Sequence, residues 1–345
     1  MHVYPLVFEP IFKPKIWGGR RLAEVLGKPL PEGRRIGESW ELADLPGHES
    51  IVRNGPRKGI SLHAIMEEWG PGLLGHVPPV DGRFPLLVKF LDAREDLSVQ
   101  VHPPKRVADA DPHARVKNEA WYVVAAGGEA VIYHGLRPGV TREQLADALR
   151  SGEVAPLLRR VPVRPGDCYY LPAGTVHALG AGVLVAEVQT PSDTTYRLFD
   201  WNRVDPTTGR PRELHTEQAL ACIEFDRPAP PPTQQRSHAA DAWTTITRLA
   251  ACEQFVIEKV RMIEGAEQVL PYAEPVIWIM LDGEAEIVFD GGNGRTPLRR
   301  GDVVLIPAAI REARVRVMRP AVWLDVSIPV SAGKPSGGPQ AAAQE

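Results

Sequence analysis

Apolar positions along this chain follow two rhythms. The helical one appears three times. After Ser61 the run LHAIMEEW sets Leu62, Ile65, Met66 and Trp69 on one face behind an N-cap serine, which predicts a short amphipathic helix. Thr141-Arg-Glu-Gln has the form of a capping box and opens a helix through Leu145 and Leu149 that stops near Gly152. His215-Thr216 opens another short helix. Their apolar stripes are those of helices packed on a core. Elsewhere the pattern is one of short apolar runs and period-two alternation between turns, as strands require.

The strand pattern recurs. VRPGDCYYLPAGTVHAL (163–179) and LRRGDVVLIPAAIREAR (298–314) each give a tight Gly-Asp turn, a short apolar strand and a proline before another strand. Upstream, NEAWYVVAAGGEAVIYHG (118–135) matches AEPVIWIMLDGEAEIVFDG (273–291) at a similar offset, with a Gly-Glu-Ala hairpin expected between the apolar runs of each. Two copies of one β unit predict an all-β fold of duplicated barrels with a few helical insertions. The proline-rich stretch DRPAPPPTQQRSHAAD (226–241) reads as a linker or long surface crossing. It divides the chain into residues 1–225, with the first barrel and the helices, and 242–328, with the second; residues 329–345 read as a flexible tail.

Composition narrows the classes. Of 345 residues, 31 are glycine and 34 proline, which favours turns and short strands over long helices. Forty basic residues against 43 acidic ones, a net charge of −3, speak against a nucleic-acid or membrane-surface partner. Cys168, Cys222 and Cys252 are far apart, so neither a disulfide framework nor a thiolate metal site is expected. The N-terminus has no signal layout and no apolar run approaches eighteen residues, so a cytoplasmic location is the expectation.

The residues suited to chemistry cluster around the first strand unit. In LSVQVHPP (97–104) the two-residue period puts Gln100 and His102 on one face; Glu119 follows, and His177 arrives on a later strand. An amide oxygen, two imidazoles and a carboxylate are N/O donors suited to Zn²⁺ or another borderline divalent ion, with positions left open for water or substrate. With both histidines neutral such a site is net positive and attracts an anionic or polyhydroxyl ligand. His2, His48, His63, His76, His113, His134, His215 and His238 are read as surface or core histidines. The second copy has Glu312 where His177 would fall, so the second barrel is expected to be metal-free and structural. There is no phosphate-loop or dinucleotide fingerprint, hence no expected nucleotide cofactor.

The frame Gly166-x₅-Pro172-x-Gly174-x₂-His177 resembles the second motif of the cupin jelly rolls. More specifically, PIFKPKIWGG (10–19), GESWELA (37–43), FPLLVKFLDAREDLSVQVHP (84–103), KNEAWYVV (117–124), PGDCYYLPAGTVHAL (165–179), EVQTPSDTTYRLFDWNR (187–203) and PRELH (211–215) resemble, in order, the type I mannose-6-phosphate isomerases of the short bacterial form. That resemblance implies a zinc-dependent aldose–ketose isomerase interconverting mannose 6-phosphate and fructose 6-phosphate, with one Zn²⁺ per chain. By motif match Gln100, His102, Glu119 and His177 would be the ligands, Arg197 the active-site arginine and Lys117 a site lysine. Longer members carry a histidine beside that lysine where this chain has Val116, so a scheme using it cannot operate here.

Moving a carbonyl from C1 to C2 takes a proton from one carbon and returns it to its neighbour through an enediol. Arg197 suits the developing oxyanion because it stays cationic and forks onto oxygens. Glu187, a metal-bound hydroxide or Lys117 remain open as the base, and Lys89 and Ser98 are expected substrate-phosphate contacts. Trp17, Trp40 and the Glu38–Glu41 stretch are read as structural. The alternatives are a metal-dependent cupin of different chemistry and a non-catalytic sugar-phosphate-binding cupin; a monomer or homodimer is expected in each case.

Overall fold

The computed structural model describes residues 3–205, 208–233 and 235–330. The three expected helices form where their caps place them. Ser61 Oγ accepts the Ala64 N–H at the head of Leu62–Trp69. The capping box is complete in both directions: Gln144 N–H donates to Thr141 Oγ1 and Thr141 N–H to Gln144 Oε1. That helix, Arg142–Ser151, ends at Gly152 in the left-handed region, φ 77°, as its sequence predicts.

The rest is mostly antiparallel sheet. One six-stranded sheet runs in the order Cys168–Leu171, Glu119–Ala126, Val183–Gln189, Leu87–Ala93, Glu38–Leu42, Ile11–Lys13. A five-stranded sheet runs Leu158–Pro162, Val131–Leu136, His177–Leu179, Val99–Val101, Tyr196–Phe199. Alternation sorts their faces. Val99, Val101, Ala178 and Leu198 turn outward, where Leu145 of one helix and Leu220 of Thr216–Cys222 cover them. Ala120, Tyr122, Ala186, Val188 and Phe90 turn to the outer side of the six-stranded sheet, into a core shared with the C-terminal half. The residues between them in sequence are left facing the barrel interior.

The C-terminal half is one nine-stranded sheet centred on Val276–Phe289 and Arg314–Ser327. Its Gly-Asp turn repeats that of the first half bond for bond. Gly166 N–H donates to Val123 O (2.8 Å), Val123 N–H to Asp167 O (2.9 Å), and Arg164 N–H to the Asp167 carboxylate (2.8 Å). Gly301, Met280, Asp302 and Arg299 make the same three bonds, each at 2.9 Å. Both glycines have positive φ, 99° and 85°, which admits them to the turn.

Three expectations change. Neither Gly-Glu-Ala segment is a hairpin. After Gly127-Gly128 the chain leaves one sheet for the other, and at Gly283 a single strand bends while shifting register. Alternating apolar runs around a glycine read alike for a hairpin and for a barrel corner, and here the sheets must turn. The N-terminus crosses the expected division at residue 225: Leu6 and Val7 pair with Leu305 and Val304 at the edge of the C-terminal sheet. Within 226–241, Arg236–Ala239 form that sheet's other edge strand, because backbone pairing with Thr245–Arg248 outweighs the polar composition. His2 and the stretch 331–345 of the expected tail lie outside the described residues.

Candidate active site

Two rungs, one from each sheet of the first barrel, build the site. Across the five-stranded sheet, Arg197, Gln100, His177 and His134 are successive register partners, so their side chains share the interior face. Across the six-stranded sheet the partners are Tyr169, Trp121, Glu187, Lys89 and Trp40. Glu119 lies two residues before Trp121 on the same face, and His102 two residues after Gln100.

The structure brings three of the expected ligands together. The ligating atoms of His102, Glu119 and His177, all buried, lie within 4.8 Å of one another. His102 Nδ1 faces the Thr194 carbonyl at 3.1 Å and His177 Nδ1 the Thr175 carbonyl at 2.9 Å. A carbonyl only accepts, so Nδ1 carries the proton in each ring and Nε2 holds a lone pair. Both Nε2 atoms point at Glu119 Oε2, from 3.2 and 3.3 Å. Two lone pairs and a carboxylate oxygen thus converge with no proton between them, and a bound cation relieves that repulsion. Gln100 approaches with its amide nitrogen, Nε2, 3.2 Å from His177 Nε2, so as placed it donates to that ring, and its oxygen becomes a ligand only with the amide turned over. The donor set fits a divalent zinc-type ion.

Lys117 leans into the same space: its Nζ is 2.6 Å from Glu119 Oε1 and 3.4 Å from His102 Nε2. Burial and then the Lys117 charge hold the His102 pKa down at about 3. Burial pushes Glu119 up, but Lys117 and His102 outweigh it and keep its carboxyl well below the usual range. Glu187 accepts the Trp121 indole N–H at 2.7 Å and lies 3.4 Å from Lys89 Nζ. Burial and then the Glu119 charge raise its pKa, against the pull of Lys89 and Lys117. Burial works against the Lys89 ammonium, yet Glu187, Glu38 and Glu119 raise its pKa; its Nζ also sits 4.8 Å from the centroid of the Trp40 ring. Ser98 is buried just before Val99.

Arg197 is placed by its backbone, which exchanges bonds with His215: Arg197 N–H donates to His215 Nδ1 and His215 N–H to Arg197 O. Its Nη1 donates to Glu213 O at 2.7 Å, while Nε is buried without a partner.

Comparison with known proteins decides the family. Residues 6–125 match the family model "Phosphomannose isomerase type I, catalytic domain". Over 317 residues the chain is 38% identical to the mannose-6-phosphate isomerase ManA of Bacillus subtilis, covering 91% of this chain and 96% of the relative. This chain belongs to the type I phosphomannose isomerase family. The crystal structure of the Bacillus subtilis mannose 6-phosphate isomerase superposes with a TM-score of 0.84 at 32% identity, covering 94% of this chain and 99% of that one. A mannose 6-phosphate isomerase bound with zinc and yttrium shares the fold at 18% identity, TM-score 0.73, with 94% of this chain and all of that one covered.

Within this phosphomannose isomerase fold, four contributions escaped the sequence reading. Trp121 packs edge-on against the His177 ring, centroids 5.4 Å apart, while holding Glu187. Its place two residues after Glu119 in a strand was the available signal. Trp40 and Glu38, read as structural, line the wall under Lys89: Glu38 accepts the Trp40 N–H, and Lys89 then Lys15 hold its pKa at about 2 against burial. His134 is fully buried beside His177. His215 fixes Arg197. Nothing in sequence spacing separates these two histidines from the others.

Proposed function

We propose that this chain is a zinc-dependent mannose-6-phosphate isomerase, converting the aldose to fructose 6-phosphate and back. The observation that carries the reading is the buried convergence of His102, Glu119 and His177, in a chain that is 38% identical to a mannose-6-phosphate isomerase over nine-tenths of its length. His102, Glu119, His177 and Gln100 would hold one Zn²⁺. Bound there, the ion supplies Lewis-acid polarisation of the sugar carbonyl.

We assign the proton transfer to Glu187. Its carboxylate removes the C2 proton of mannose 6-phosphate and returns it to C1, while the proton of the C2 hydroxyl passes to O1, so that the carbonyl moves from C1 to C2. A raised pKa brings a buried carboxylate nearer the operating pH, as a shuttle must be to take and give back one proton. Trp121 and Lys89 fix its two oxygens. Lys117, paired to Glu119 at 2.6 Å, acts as a fixed positive charge facing the sugar oxygens. Arg197 supports the oxyanion that develops between C1 and C2. Ser98 and Lys89 supply donors for the substrate phosphate.

A coupled assay for fructose 6-phosphate formation tests the whole reading. Turnover lost on chelation and restored by Zn²⁺ is the expected result. Turnover that chelation leaves untouched overturns the metal assignment, and binding of mannose 6-phosphate without turnover overturns the isomerase.

A further inference from the structure

Asn118 stands between Lys117 and Glu119, and strand alternation turns it to the opposite side, away from the metal ligands and toward the second barrel. Its side-chain oxygen accepts the Ala173 N–H at 2.9 Å, and its Nδ2 donates to Gln254 Oε1 at 3.1 Å. The orientation of both amides follows from the first bond. A backbone N–H only donates, so the Asn118 oxygen faces Ala173 and its NH₂ faces Gln254, whose oxygen must then face back.

Each end of this bridge is anchored. Ala173 lies in the Pro172–Thr175 turn, where Gly174 N–H donates to His102 O and the Thr175 carbonyl orients His177. Asn118 N–H donates to Thr190 Oγ1, and Thr190 N–H returns to Asn118 O. From Thr190 the chain runs to Thr194, whose carbonyl orients His102. Gln254 belongs to the turn between strands Thr244–Ala251 and Val256–Met262, closed by Cys252 N–H donating to Phe255 O and pinned by fully buried Phe255. A cleft of about 620 Å³, lined by Val77, Pro85, Val116 and Ile328 among others, flanks this junction. The turn also meets the first barrel through Phe255, whose ring stands edge-on to Tyr170 at 6.4 Å, and the two amides form the polar link beside that contact, at the edge of the cleft.

We propose that Asn118 and Gln254 are positioning residues: a brace by which the second barrel holds Lys117 and Glu119 in register with His102 and His177. The second barrel, which has no such ligand cluster among the described residues, thereby acts on the chemistry of the first. This inference rests on the zinc-site reading above.

The test uses the full chain, with zinc affinity measured by competition against a chromophoric chelator and kcat and KM for mannose 6-phosphate measured separately. Gln254→Ala should weaken zinc binding severalfold, up to about the tenfold that losing a direct outer partner of a ligand costs at the low end, because Gln254 reaches Glu119 through Asn118. It should lower kcat with KM within about twofold, as a loss expressed in the reacting geometry does. Gln254→Glu keeps an acceptor oxygen and should restore both. Asn118→Ala combined with Gln254→Ala should be no worse than Asn118→Ala alone, because the two act as one link. Wild-type zinc affinity and kcat in Gln254→Ala would overturn the brace, as would an equal loss in Gln254→Glu or additive effects in the double variant. A wild-type chain that bound no zinc would instead overturn the site reading, and the kcat cycle would still decide the brace.

Discussion

The two barrels share a frame and differ in what it holds. In the first, Glu187 is register partner to Trp121 on one side and Lys89 on the other. In the second, Asp325 is partner to Trp278 on one side and Glu258 on the other. The indole–carboxylate bond is kept in both, at 2.7 Å for Trp121 to Glu187 and 3.0 Å for Trp278 to Asp325. Around it the chemistry diverges. The position of Glu119, opposite Leu171, is occupied by Val276, opposite Ile306; that of His177 by Glu312; that of Lys89 by Glu258. Tyr272 then donates its hydroxyl to Asp325, a neutral partner where the first barrel has an ammonium. The indole–carboxylate pair therefore stands in the second barrel without the histidine pair and without an ammonium beside the carboxylate.

Breaking the ligand set should give the largest effect. His102→Ala, His177→Ala or Glu119→Gln should each lose zinc and lower kcat about a thousandfold or more, beyond the usual cost of one hydrogen-bond donor. Far-UV circular dichroism should stay that of the wild type, since the same frame folds around Val276. Glu312→Ala, at the position matching His177, should change neither zinc content nor rate. Metal analysis beside the coupled assay checks both halves, and a metal lost from Glu312→Ala would end the view of the second barrel as metal-free.

The repeat and the residues that gather at His102, Glu119 and His177 were legible because both rest on local signals. The Gly166 and Gly301 turns need the same φ and the same aspartate, and Gln100 and His102 are two residues apart on one strand. What escaped it depends on pairing between distant strands. That His134 sits beside His177 follows from register across residues 134 and 177. That Leu6 and Val7 belong to the C-terminal sheet follows from a pairing across some three hundred residues. Period-two alternation states which face a residue takes but not which strand lies next to it. The Asn118–Gln254 contact is of this kind as well.

Arg197 sharpens the contrast at a smaller scale. It completes the rung with Gln100, and its buried Nε has no partner among the described residues, a donor that the proposed reaction would use for charge developing on the sugar oxygens. Arg197→Ala should lower kcat on the order of a hundred- to a thousandfold while raising KM far less. Arg197→Lys should recover part of the loss, since a point charge lacks the guanidinium fork. Zinc content should remain normal in both. A defect confined to KM would make Arg197 a ground-state phosphate clamp.

The smallest expected effect lies in the second barrel and concerns stability. Burial raises the Asp325 pKa to about 6; the hydrogen bonds from Tyr272 and Trp278 pull it partly back, and Glu258 adds repulsion. A carboxyl with its folded pKa above the unfolded value binds its proton more tightly in the native state. Stability from this group is then full below about pH 4 and falls as pH rises to about 6, by roughly 3 kcal/mol for a shift of about two pH units. Above that window the native state holds an ionised carboxylate with no cation beside it, whereas the first barrel gives Glu187 the Lys89 ammonium. Asp325→Asn keeps an oxygen for both donors and removes the titration. The variant's melting temperature should therefore gain on the wild type between pH 5 and pH 7.5, by a few degrees at this chain length. The difference between the two pH curves isolates this one group from every other that titrates. Parallel curves would show that Asp325 is ionised at an ordinary pKa, and that the second barrel accommodates its buried carboxylate without penalty.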